Sequence, residues 1–297
     1  AGGFGTRLRP VTCNIPKPMA PLANVPMMEH IVNLLKQYGF DRICSILYFQ
    51  PEVITDYFSD GSKFGINMEY QMAAADYGTA GSVKNTEEKL KDEPFIIISG
   101  DVLTDFDLQE AIDFHKKNKA MATMVLTRVA NPLEYGVVIT AEDGKIIRFL
   151  EKPSWGEVFS DTINTGIYIL EPEIFKYIPE KTEFDFSKNL FPLMLKEGLP
   201  LFGYIAEGYW KDIGSLDEYV LAHQNVLNGD VKIQIPGERL NIIGRDVWVG
   251  KNSNISPKAK FKGGVVIGNN CVIEEGTNLE NCVVGDDTVI KKGSSVN

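Results

Sequence analysis

A chain of 297 residues with 44% hydrophobic and 24% charged side chains has the make-up of an ordinary folded protein, which excludes disordered and collagen-like readings. With 40 acidic against 30 basic residues the formal net charge is −10, so the broad basic surface of a duplex nucleic-acid binder is missing and no nucleic-acid partner is expected. No apolar run approaches the roughly 18 residues needed to span a bilayer, so no membrane partner is expected either. Cys13, Cys44, Cys271 and Cys282 show neither metal-like nor disulfide-dense spacing and point to a reduced, cytoplasmic setting.

The chain opens in a glycine-rich segment, Ala1-Gly2-Gly3-Phe4-Gly5-Thr6-Arg7-Leu8-Arg9-Pro10, followed by Pro16-Lys17-Pro18-Met19. Such a loop normally follows a strand, so a first strand is expected ahead of this numbering. Glycines let a backbone turn tightly and present several N–H groups to a phosphate chain. Arg7, Arg9 and Lys17 add positive charge beside that cradle. The segment lacks the Gly-Lys-Ser/Thr of a P-loop and the later acidic residue of a dinucleotide fingerprint. It reads as a phosphate site of another kind rather than a plain turn.

Met28, Ile31, Val32, Leu35 and Tyr38 recur at helical spacing before Gly39. Strands are expected at Ile43 to Phe49 and Ile66 to Gln71, with a short helix at Pro51 to Phe58 between them and a helix from Ala80 to Leu90 after them. Phe95 to Ser99 has the continuous apolar character of a central parallel strand. A helix over Leu108 to Asn118 precedes strands at Ala122 to Arg128, Gly136 to Thr140, Ile146 to Glu151 and Ile163 to Leu170. A last helix runs from Leu216 to Leu227 and stops at Asn228-Gly229. Alternating strands and helices predict an α/β domain over 1–230 with a doubly wound, mostly parallel sheet, whose ligands bind beyond the carboxyl ends of the strands.

The tail changes period. Ile243, Val249, Ile255, Phe261, Ile267, Ile273 and Leu279 recur every six positions; the phase slips by one near Asn281 and resumes at Val284, Ile290 and Val296. A six-residue period marks a parallel β-helix in which each repeat lays one side of a triangular coil and points one apolar residue inward. The second domain, 231–297, is therefore expected to be such a coil, continuing beyond this numbering or packing against another subunit, which points to a homo-oligomer.

Asp101, in Ser99-Gly100-Asp101, follows the central apolar strand, where a carboxylate can bind Mg²⁺. Asp105 and Asp107 read as cap residues for the Leu108 helix. Glu151-Lys152-Pro153 closes a strand, and Glu134-Tyr135-Gly136-Val137 and Asn164-Thr165-Gly166-Ile167-Tyr168 each combine a polar or flexible residue with strand neighbours.

Gly-Gly-Phe-Gly-Thr-Arg-Leu-Arg-Pro followed by Pro-Lys-Pro-Met resembles the signature of sugar-1-phosphate nucleotidyltransferases (sugar-nucleotide pyrophosphorylases), and the likeness extends over the whole chain because several branches carry a left-handed hexapeptide β-helix. Thr12 to Pro21 most resembles the mannose-1-phosphate guanylyltransferases, including bacterial long forms that continue into a phosphomannomutase-like domain. The resemblance implies a Rossmann-like catalytic domain that joins a nucleoside triphosphate to a sugar 1-phosphate, releasing pyrophosphate, with GTP and mannose 1-phosphate giving GDP-mannose. It implies nucleotide contacts from Gly2, Gly3, Gly5, Thr6, Arg7, Lys17, Gly78 and Thr79, and catalytic roles for Arg7, Lys17 and Asp101. It implies Mg²⁺ on Asp101 and Asp212, and sugar-phosphate contacts from Gly136, Glu151, Lys152, Asn164 and Gly166.

One motif departs. Before Gly78-Thr79-Ala80-Gly81 the chain reads Ala73-Ala74-Ala75-Asp76-Tyr77, where relatives carry an acidic or amide side chain that reads the base. A uridylyl- or thymidylyltransferase acting on glucose 1-phosphate is the alternative this keeps open. A non-catalytic regulatory relative would tend to lose the Arg, Lys or Asp positions kept here. An acyltransferase working on the coil commonly needs a histidine base there, and His30, His115 and His223 all precede it.

Overall fold

The computed structural model describes residues 5–73, 75–158, 160–242 and 245–297. By internal contacts the chain divides into two compact units. The first holds Leu34–Gly100 and Phe106–Trp210; the second holds Gly5–Asn33, Asp101–Asp105 and Lys211–Asn297.

In the first unit six strands form one sheet, in the order Leu201–Ile205, Ala122–Arg128, Thr162–Leu170, Gly136–Thr140 and Ile146–Glu151, with Phe95–Ile97 also paired to Thr162–Leu170. Ala122 to Thr127 are all buried, as expected of a central strand rich in β-branched and aliphatic residues. Thr123 lies in that core because its hydroxyl pairs with His115 Nδ1 at 2.8 Å. Burial holds the His115 ring below its usual pKa, against the opposing pull of Glu171.

The sheet is mixed, which corrects the expectation of a mostly parallel one. Among the described pairings of this sheet only Leu201–Ile205 with Ala122–Arg128 is parallel. Thr162–Leu170 runs antiparallel to Ala122–Arg128, Gly136–Thr140 and Phe95–Ile97, so the apolar Phe95 run is not a central parallel strand. Arg42–Leu47 and Asn67–Met72 are parallel but form a separate two-stranded sheet. The cause lies in the connections. Among the described residues from Ala122 to Leu170 no long helix separates the strands, and a parallel pair needs a crossover of a dozen residues or more. Gly136–Thr140 and Ile146–Glu151 are joined by a tight turn, with Gly144 N–H donating to Ala141 O at 2.9 Å.

The helix expected from Ala80 to Leu90 is two, Gly78–Lys84 and Glu87–Leu90. Between them the Thr86 hydroxyl donates to Val83 O at 2.6 Å, a local bond that competes with helix continuation. Of the two expected caps, only Asp107 serves the Leu108–Asn118 helix, accepting from Gln109 and Glu110 N–H. Asp105 instead accepts from Lys232 N–H at 2.8 Å in the second unit.

The second unit begins with two short 3₁₀ turns, Thr6–Leu8 and Lys17–Met19. A hairpin of Pro21–Leu22 and Val25–Pro26 follows, turning through Ala23 and Asn24 at φ 50° and 67°. Helix Leu216–Asn228 starts at a Ser215 cap and ends at Gly229 in the left-handed conformation. The coil then rises as two stacks of parallel strands. Arg245–Val249, Lys260–Ile267, Asn278–Val284 and Ser295–Val296 form one; Asn254–Ile255, Val272–Ile273 and Val289–Ile290 form the other. Ile267, Ile273, Leu279 and Val284 are buried in its core as the period requires. Ile243 and Gly244 fall outside the described residues. The slip read near Asn281 is a real irregularity: pairing runs Lys262 to Glu280 and then Val265 to Cys282. Val247, Val265 and Cys271 are also buried in the core, four residues after period positions, so these sides supply a second inward residue. Among the described residues no helix is long and apolar enough to cross a membrane.

Candidate functional site

Six of the expected residues lie in the second unit, and four of them, Arg7, Lys17, Asp101 and Asp212, form one cluster. Gly5 stands at φ 61° at the head of the first 3₁₀ turn, where its carbonyl accepts from the Thr12 hydroxyl at 2.7 Å. A side chain there would meet Lys17 Cβ at 3.1 Å, so both backbone angle and close approach call for glycine. This fold of the loop sets Lys17 beneath the first turn, buried, while Thr6 and Arg7 remain exposed. Gly2 and Gly3 lie outside the described residues.

Asp101 and Asp212 are far apart in sequence but are brought side by side by backbone pairing. The Val102–Thr104 strand pairs with Trp210–Asp212, and Ile213 N–H donates to Asp101 O at 3.3 Å. Lys17 Nζ then sits 2.6 Å from Asp101 Oδ2 and 3.4 Å from Asp212 Oδ1. A side chain on Gly214 would lie 3.5 Å from both Arg7 Nη2 and Asp212 Oδ2, so the guanidinium lies near that carboxylate, and its charge acts on it. Burial pushes the Asp212 carboxyl above the usual carboxylate range; Lys17 opposes the shift, the Asp101 charge adds to it and Arg7 opposes it.

Two cations and two carboxylates in one cluster can hold a polyphosphate and a divalent ion together. The donor set is hard oxygen alone. Among the described residues no group of three or more His, Cys, Asp or Glu is poised for a metal. An ion here would therefore complete its shell with water and substrate oxygens, the habit of Mg²⁺ and not of zinc. The residues fit that ion.

The first unit gathers the others. Gly136 and Glu151 are register partners on neighbouring strands, and a Cβ on Gly136 would come within 2.8 Å of Glu151 Oε2. Burial raises the Glu151 carboxyl; Lys152 opposes, Asp185 adds and Lys188 opposes. Lys152 itself is exposed at φ 46°, a conformation uncommon for a side-chain-bearing residue, and its N–H donates to Tyr135 O at 3.1 Å. Asn164 and Gly166 flank a bulge where the Thr162–Leu170 strand changes register against Ala122–Arg128. Asn164 Oδ1 accepts from Gly166 N–H at 3.0 Å and its amide donates to the Tyr168 hydroxyl at 2.9 Å. Gly166 stands at φ 78°, and nothing lies within 4 Å of where its side chain would be. The strand is thus open to close approach at that point.

Gly78 and Thr79 begin the Gly78–Lys84 helix and are held by protein. Thr79 donates to Asp185 Oδ2 at 2.8 Å and accepts from Phe186 N–H at 3.0 Å, so its hydroxyl is already engaged. Asp185, Ser187 and Gly214 were not singled out in the sequence. Gly214 could have been found from Trp210-Lys211-Asp212-Ile213-Gly214; Asp185 carries no local signal beyond that of an ordinary cap.

A model of the nucleotidyl transferase family matches residues 1–229, and a model of the bacterial transferase hexapeptide, comprising six repeats, matches residues 246–281. A UTP–glucose-1-phosphate uridylyltransferase of Synechocystis is 36% identical over 96% of this chain and 81% of its own length. A mannose-1-phosphate guanylyltransferase of Mycobacterium tuberculosis is 32% identical over 98% of this chain and 80% of its own length. In structure, a candidate glucose-1-phosphate thymidylyltransferase from Bacillus anthracis, solved in complex with a sucrose, superposes with a TM-score of 0.70 at 28% identity, covering 79% of this chain and 95% of its own. The glycine loop, the Lys17–Asp101–Asp212 cluster, the hexapeptide coil and these likenesses agree: the chain belongs to the sugar-1-phosphate nucleotidyltransferase family.

Proposed function

We propose that the protein transfers a guanylyl group from GTP to mannose 1-phosphate, giving GDP-mannose and pyrophosphate, in a Mg²⁺-dependent reaction. The observation that carries the reaction class is the clustering of Arg7, Lys17, Asp101 and Asp212, within 2.6 to 3.4 Å where Lys17 meets the carboxylates. The guanylyl and mannosyl choices rest on the Thr12 to Pro21 wording and on the M. tuberculosis relative.

A phosphate oxygen of the sugar 1-phosphate attacks the α-phosphorus in line, and pyrophosphate leaves. A phosphate monoester loses its second proton near pH ~6, so no protein base is needed. The protein's task is positioning and charge compensation. Gly5 and Thr6 offer backbone N–H groups to the triphosphate, Arg7 offsets charge building on the α and β phosphates, and Lys17 holds the chain of phosphates. Asp101 and Asp212 would hold Mg²⁺, which when bound lowers the repulsion between the two anionic substrates. Lys152 supplies a point charge for the sugar phosphate, and Glu151 and Asn164 supply acceptors and donors for sugar hydroxyls.

A second reading is favoured by a specific observation. Ala73 cannot read a base edge, and the Synechocystis relative is named for UTP and glucose 1-phosphate. Pyrophosphate release measured with Mg²⁺ over GTP, UTP, dTTP, ATP and CTP against mannose-, glucose- and N-acetylglucosamine 1-phosphate separates the two. Turnover confined to GTP with mannose 1-phosphate supports the first reading, and turnover of UTP or dTTP with glucose 1-phosphate the second. Silence from folded protein makes it a regulatory relative. Omitting Mg²⁺ should abolish the signal. The hexapeptide coil is read as an assembly module for a homo-oligomer, which sedimentation of the whole chain tests.

A further inference from the structure

We infer that Asp185 is a positioning residue that ties the Gly78–Thr79 turn and the Asn164 segment into one hydrogen-bonded frame. The inference rests on the reading above, in which those two segments face nucleotide and sugar.

The geometry exceeds what a cap requires. Asp185 Oδ1 takes the Ser187 and Lys188 N–H groups, at 2.9 and 3.2 Å, and so starts the Phe186–Leu190 turn. One oxygen suffices for that task, and Asn or Ser would serve as well. Oδ2 is turned instead to the Thr79 hydroxyl at 2.8 Å, which Phe186 N–H holds from its other side at 3.0 Å. One residue on, Ser187 Oγ accepts from the Asn164 amide at 3.3 Å. Asn164 in turn fixes Gly166 N–H and the Tyr168 hydroxyl. The chain of contacts is thus Thr79, Asp185, Ser187, Asn164, with the open face of Gly166 at its end. The Tyr168 phenol, pushed up to about 12 by burial, stays neutral and can only share its proton within this network.

Asp185 also acts through charge. It raises the Glu151 carboxyl alongside burial, while Lys152 and Lys188 oppose it. Neutralising Asp185 should therefore let Glu151 ionise at lower pH.

The test uses pyrophosphate release by the whole chain, varying each substrate separately. Asp185→Asn keeps the cap oxygen and loses the acceptor for Thr79 and the negative charge. It should raise KM for both the nucleotide and the sugar 1-phosphate by roughly threefold to tenfold, the weight of one hydrogen bond. The acid limb of kcat/KM for the sugar 1-phosphate should move to lower pH. Thr79→Val should raise KM for the nucleotide alone and Thr79→Ser should restore it; Ser187→Ala should raise KM for the sugar 1-phosphate alone. If Asp185→Asn lowers only the melting temperature and leaves both KM values and the acid limb in place, Asp185 is a cap and the inference falls. If the wild-type chain is silent with every substrate pair, the functional reading falls first and takes the inference with it.

Discussion

Lys17→Met removes the ammonium from between Asp101 and Asp212 and keeps the length of the stem. Lys17 has a side chain only 11% exposed, while the two carboxylates are 26% and 39% exposed. Breaking a fully buried ion pair costs about 3–5 kcal/mol because a charge is left without a partner. Solvent reaches both carboxylates here, so the cost should fall to about 1–2 kcal/mol. For a chain of this size that lowers Tm by roughly 2–8 °C. The sign with pH follows from the two carboxylates losing the nearer of their two cations, with only Arg7 left beside Asp212. Burial and the Asp101 charge already raise the Asp212 carboxyl above its unfolded value, and losing Lys17 removes what chiefly opposes them, so the variant loses stability as pH rises through the carboxylate range. In acid, with both protonated, the deficit should close. Mg²⁺ would replace the missing charge, so its addition at neutral pH should recover more Tm in Lys17→Met than it adds to wild type. Differential scanning calorimetry between pH 4 and 8, with and without Mg²⁺, reads all three effects. A variant as stable as wild type at neutral pH, or a deficit that grows in acid, would refute the reasoning.

Three other outcomes are expected. Asp212→Asn should cut turnover by at least ~10²-fold, yet leave Tm at neutral pH unchanged or higher, because burial already raises that carboxyl and its ionisation works against the fold; a marked Tm loss at pH 7 argues against this. Gly5→Ala forces a side chain into a φ 61° backbone beside Lys17 Cβ. It should cost about 1–2 kcal/mol and raise KM for the nucleotide, as denaturant titration and initial rates will show. Glu151→Gln should leave the acid limb of kcat/KM for the sugar 1-phosphate with the substrate's own ionisation near pH ~6 and remove the added slope from the Glu151 carboxyl, which burial raises; an unchanged slope assigns that titration to another group.

The coil was legible because its physics is one-dimensional: a side of fixed length must bury a residue at a fixed period, and even the slip at Asn281 survives as a register shift. The second inward position, at Val265 and Cys271, was not, since Val265 runs into Val266-Ile267 and Cys271 into Val272-Ile273, where one more apolar residue stands out from no background. Strand direction was misread for a different reason. Periodicity locates a strand, but the length of the connection decides its direction, and the short links after Ala122 carried that information. Arg7, Lys17 and Asp101 drew notice because a glycine loop and a strand end are places where charge has few structural duties; Asp212 was named through the family resemblance alone, and the structure sets it beside Asp101 and Lys17. Thr79 and Asp185 show the limit of such reasoning. Thr79 lies in a segment that resembles a ligand contact, yet its hydroxyl is spent on Asp185 and Phe186 N–H. Asp185 lies in a segment where no motif stood out, yet it is bonded to Thr79 and leads through Ser187 to Asn164. A motif records that a residue type is needed; only geometry separates the residue that touches a ligand from the one that holds it in place.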